Sequence, residues 1–149
     1  MKPIKTCIVV ADGAHARAFL NDGPGHGISE LSEYAANIDL KASRDIDADR
    51  PGRTFDSGGQ GRHAMESPTN SQRHVKDEFA RNLAEKINAA IAAGDFDRIV
   101  LIAPPATLGD LRRHLSKQSL QNIHGELARN LTQASEKEIL IQSGRVLAV

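Results

Sequence analysis

Four residues in one glycine-rich stretch have the types and spacing that point most directly to chemistry. Arg50, Arg53, Arg62 and His63 gather around a single acid, Asp56. Cations grouped in this way can meet phosphate, on an RNA backbone or on a nucleotide. The alternative is a solvated loop whose charges only oppose aggregation. Gly58 and Gly59 stand immediately before Gln60 in the same stretch. Paired glycines give the backbone conformations that other residues resist. Gln60 is therefore the candidate catalytic residue, and Arg50, Arg53, Gly58, Gly59, Arg62 and His63 are the candidate binding residues.

Other chemistries find less support. The six histidines, His15, His26, His63, His74, His114 and His124, are scattered. None has metal-ligand spacing with a cysteine or carboxylate, so no metal site is expected. No phosphate loop of the Walker type and no dinucleotide glycine fingerprint appears, and no cofactor is expected. A Ser–His–Asp triad is spatial and open to any sequence, but no nucleophile elbow supports one here. Cys7 lies in the apolar run 4–10, where an inert, buried thiol is expected. Asp12 is read as the acceptor of an Asx-type turn, with Arg17 on its far side. Arg112 and Arg113 are expected to face solvent or a carboxylate.

Composition limits the partners. Lys+Arg and Asp+Glu are both 19, and aromatic residues make up only 3% of the chain. Balanced charge argues against holding nucleic acid by charge alone, although a local basic patch remains open. Few rings mean few platforms for stacking bases. No secretory leader is visible and no stretch approaches a membrane span, so a cytoplasmic protein without membrane contact is expected. The 149 residues suit one domain, residues 1–149, with no need of a disulfide or metal staple.

The elements that must position these residues alternate in type. Lys5–Ala11 and His15–Leu20 read as strands joined at Asp12-Gly13, a strong turn dipeptide. Residues 28–35 suggest a third strand. From 41 to 67 the chain is too polar and too rich in Gly and Pro to pack itself, and a mobile loop is expected. A long helix begins near Asn70, with Phe79, Ala80, Leu83, Ala84, Ile87, Ala90 and Ile91 on one face. Asp77, Arg81 and Glu85 on the opposite side are spaced to pair, and Gly94 is a natural stop. The unbroken run 99–103 suits a central strand covered on both faces. A helix from Pro105, a strand over 123–131 and a last short helix capped by Ser135 complete an α/β domain with a mixed central sheet flanked by helices.

Several runs, in order, carry a resemblance. They are Ala11-Asp12-Gly13-Ala14-His15-Ala16-Arg17, Asp49-Arg50-Pro51-Gly52-Arg53-Thr54-Phe55, Gly61-Arg62-His63-Ala64-Met65-Glu66, residues 96–105 and Leu108-Gly109-Asp110-Leu111-Arg112. Together they resemble the bacterial family called protein required for attachment to host cells, over nearly the whole chain. That family looks like the middle domain of archaeal and eukaryotic peptide-chain release factors, which implies an RNase-H-like sheet. Those domains carry a Gly-Gly-Gln loop before a long helix, and Gly58-Gly59-Gln60 occupies the same relative place. In release factors the glutamine helps water attack the peptidyl-tRNA ester. This chain departs from them in having Gly61-Arg62-His63-Ala64 after Gln60. It also lacks their codon-reading and C-terminal domains, so stop-codon recognition by the usual route is not expected.

Two functional classes follow. One is a ribosome- or RNA-associated binding protein acting through the Gly-Gly-Gln loop, with ribosome or tRNA as partner; as an enzyme it would be a peptidyl-tRNA ester hydrolase. The other is a regulatory protein that binds other proteins, catalyses nothing and affects attachment indirectly. Neither composition nor motif fixes the oligomeric state.

Overall fold

A tight turn at the first strand's end sets the architecture. The Asp12 side chain accepts hydrogen bonds from the backbone N–H of Ala14 (2.8 Å) and of His15 (2.7 Å). The chain therefore reverses where the Asp-Gly dipeptide predicts. β1 (Thr6–Ala11) and β2 (His15–Asn21) pair antiparallel, with Val9 opposite Ala18. The computed structural model describes residues 2–40 and 68–149. The expected loop at 41–67, with Arg50, Arg53, Gly58, Gly59, Gln60, Arg62 and His63, lies outside the described residues.

The predicted third strand is mostly something else. Residues 28–35 contain the two-residue β3 (Ser29–Glu30) and then a 3-10 turn, Ser32–Tyr34, which buries Tyr34. β4 (Ala36–Asn37) also pairs with β2. With so few paired residues, the edge of the sheet here is two short pieces.

The long helix, α1, runs from Pro68 to Ala93 and stops at Gly94, whose φ of +79° is cheap only for glycine. β5 (Arg98–Ile102) lies parallel to β1, with Leu101 opposite Val9. Parallel neighbours need a crossover, and α1 supplies it. α2 (Pro105–His114) follows, with proline at its first position. The short α3 (Lys117–Gln121), not anticipated from sequence, is capped by the Ser116 side chain. Asn88 of α1 anchors it by accepting from the Ser119 hydroxyl at 2.8 Å. β6 (Ile123–Leu127) pairs parallel with β5 and ends sooner than the sequence suggests. The chain closes with α4 (Glu136–Ser143), where the Ser135 hydroxyl accepts from the Glu138 N–H at 3.1 Å, the expected cap.

The six-stranded sheet is mixed, in the order β3-β2-β1-β5-β6 with β4 beside β2. Alternation along β1 and β5 divides two cores. Cys7, Val9, Ile99 and Leu101 face α1 and α2, meeting Phe79, Leu83, Ile87 and Leu111. Ile8, Val10, Val100 and Ile102 face the other way, onto Ile139 and Leu147. Covering on both faces is why β5 reads as an unbroken apolar run. Burial pushes the Cys7 thiol up to about 12, so it stays protonated and inert, as expected. Among the described residues, no helix is long and apolar enough to cross a membrane.

The ion pairs differ in part from the predicted set. Arg81 pairs with Glu78 rather than with Asp77 or Glu85. Asp77 instead reaches across to α2, accepting from Arg113 at 2.8 Å and lying 3.1 Å from His114 Nε2. Those hydrogen bonds from Arg113 and His114 hold the Asp77 carboxyl below the usual range. Arg112 pairs with Glu126, so both α2 arginines meet carboxylates.

Candidate functional site

Three parallel strands end on the same side of the sheet. Their last residues deliver Asp12 after β1, Pro104 after β5 and Asn130 after β6. Open α/β sheets place ligand sites at such carboxyl ends, because loops and helix starts converge there. A cavity of about 310 Å³ opens at this point, within the size range of small-molecule sites. Asp12, Gly13, His15, Arg73, Lys76, Thr107 and Asn130 are among its lining residues.

Asp12 is the fixed centre of one wall. Besides the two turn N–H groups, it accepts from Asn130 Nδ2 at 3.1 Å and from the Thr132 hydroxyl at 3.1 Å. His15 Nδ1 lies 3.0 Å from Asp12 Oδ1. Burial alone would raise the Asp12 pKa. The hydrogen bonds from Ala14, Asn130 and His15 outweigh it and hold the carboxyl below its usual range. An ionised carboxylate only accepts, so His15 Nδ1 donates to Asp12 Oδ1 and Nε2 is the ring nitrogen pointing elsewhere on a half-exposed imidazole. An imidazole oriented by a carboxylate can accept a proton or a hydrogen bond from a bound molecule. The predicted Asx-type turn at Asp12 is present, and the same carboxylate also ties the β6 end to the hairpin.

The opposite wall is cationic. Lys76 comes from α1, and its aliphatic stem crosses directly over Gly13. A Cβ on Gly13 would fall 2.7 Å from Lys76 Cγ and Cδ, so the close approach requires glycine. Arg73, one turn earlier on α1, is engaged by the buried Asp110 of α2. Arg17, which neighbours the hairpin turn in sequence, is structural. It donates to both carboxylate oxygens of Glu30 at 3.2 Å and to the Ala134 carbonyl at 2.8 Å.

Leu40 and Arg73, on the two sides of the 41–67 segment, both line this pocket. The Gln72 side chain joins those sides by donating to the Leu40 carbonyl at 3.4 Å. The predicted site residues thus belong to a segment whose described flanks meet at the pocket. Lys76, Thr107 and Asn130 were not legible as site residues from their local sequence. One available signal was the strand end Ala103-Pro104-Pro105: a helix starting there beside Asp12 marks the ligand end of a parallel pair.

The sequence profile of the family described as "Protein required for attachment to host cells" matches residues 7–142. No curated protein matches the chain.

Proposed function

The chain belongs to the family of proteins required for attachment to host cells, and from that premise we propose that it is a binding protein that associates with RNA or the ribosome. The observation that carries this is the meeting of both flanks of the 41–67 segment at a pocket that Lys76 lines. Arg50, Arg53, Arg62 and His63 lie between those flanks in sequence, and Gly58-Gly59-Gln60 with them. Arginine and lysine supply the phosphate contacts that position a protein on RNA, whatever the base sequence. The likeness of Gly58-Gly59-Gln60 to the release-factor loop supports tRNA or the ribosome as the source of that phosphate. Gln60 then has a defined role to test, orienting the water that attacks a peptidyl-tRNA ester.

Zero net charge favours the alternative, a regulatory protein that binds other proteins without catalysis. Sedimentation of the native protein with ribosomes at low salt separates the two. Association that weakens with added salt is expected; failure to sediment with ribosomes and to bind tRNA leaves the protein-binding alternative. Gln60→Ala should leave binding intact and abolish most ester hydrolysis if the glutamine acts in the transition state. Unchanged hydrolysis would remove Gln60 from the chemistry.

A further inference from the structure

Thr107 is buried, at 6% exposure, and its side chain lines the pocket. Its hydroxyl nevertheless has no hydrogen-bond partner among the described residues. The oxygen is not one of the fully buried unpartnered atoms, so it is open to the pocket and is free to meet a bound group there. The backbone around it is free in the same way. α2 begins at Pro105 with a proline at its cap, and no side chain caps it. The N–H groups of Ala106 and Thr107 find no acceptor among the described residues, while the Leu108 N–H already bonds the Pro104 carbonyl. Aligned peptide dipoles make this end of the ten-residue helix electropositive.

Lys76 adds a full charge. Arg73, the other pocket-lining cation, pairs with the Asp110 carboxylate, whereas Lys76 meets no carboxylate among the described residues. We propose that the first turn of α2, the Thr107 hydroxyl and Lys76 form a seat for a single phosphate group, carried by a nucleotide or by RNA. The inference rests on the pocket being the ligand site of the proposed RNA-binding function. The seat offers two N–H donors, a hydroxyl and an ammonium, which suits phosphate oxygens that only accept. A metal cation would need acceptors. The one carboxylate lining the pocket, Asp12, is already taken by Ala14, His15, Asn130 and Thr132.

The test is a titration of ¹⁵N-labelled protein with inorganic phosphate, then adenosine 5′-monophosphate, then a 5′-phosphorylated RNA, at constant ionic strength. Saturable shifts at the Ala106 and Thr107 amides are expected with each. Thr107→Val should weaken phosphate binding about threefold to tenfold through loss of one hydrogen bond. Lys76→Gln should weaken it about tenfold or more through loss of a charge-assisted one. Gly13→Ala, which pushes the lysine stem aside, should weaken binding while Thr107→Val and Lys76→Gln keep a native spectrum elsewhere. No saturable shift at those two amides, or wild-type affinity in the Thr107 and Lys76 variants, overturns the seat. Phosphate and nucleotide binding without RNA or ribosome binding keeps the seat and removes the RNA function. RNA binding that ignores both variants keeps that function and removes the seat.

Discussion

Asp12 carries more structure than any other single polar residue of the pocket. It closes the hairpin, orients His15 and holds the β6 end through Asn130 and Thr132. Its carboxyl lies below the usual range in the fold, so the ionised form is favoured over the unfolded chain. Its contribution is fully present above the ordinary carboxylate pKa and fades as pH falls through the lower, folded value. Asp12→Ala should therefore cost about 1–3 kcal/mol at neutral pH, the usual penalty for partly buried donors left without an acceptor. The gap to wild type should narrow in urea unfolding at about pH 3, below the reference carboxylate value. A gap that stays constant with pH would show that Asp12 acts by shape alone. The turn was legible in the sequence because Asp-Gly is a local signal. The bonds to Asn130 and Thr132 were not, because they span most of the chain and depend on β6 lying parallel to β5.

At the scale of elements, periodicity revealed the large pieces and missed the small ones. The helix face at Phe79, Leu83 and Ile87 and the unbroken run of β5 were visible because each repeats one pattern over many residues. α3 was hidden because its five residues make hardly one turn and depend on Ser116 and Asn88 for closure. The edge strands β3 and β4 pair two residues each, too few to leave a pattern. Two substitutions test the core. Phe79→Ala should cost about 3–5 kcal/mol, the range for large-to-small changes at buried rings. Leu101→Asp should prevent stable folding, because an unpaired carboxylate at a site with 0% exposure cannot be solvated. Wild-type urea midpoints for both would mean that the sheet and α1 do not pack as described.

Over the whole molecule, Lys and Arg balance Asp and Glu, and two of the cations, Arg73 and Lys76, line the pocket where the flanks of the 41–67 segment meet. Family membership extends over both parts, since the match runs from residue 7 to 142. The pocket could not be read from sequence because it needs β1, β5 and β6 side by side, an arrangement made by the α1 crossover. The arginines between 50 and 63 could be read, because they cluster in sequence. Binding of tRNA as a function of salt, for wild type and for Arg50→Ala/Arg53→Ala/Arg62→Ala, tests the proposed RNA association most directly. Each phosphate contact contributes roughly 0.7–0.9 to the slope of log affinity against log salt. We expect wild-type affinity to fall with salt, and the triple variant to bind more weakly with a flatter slope and an unchanged unfolding midpoint. Equal slopes for the two proteins, or no tRNA binding at low salt, would contradict RNA association.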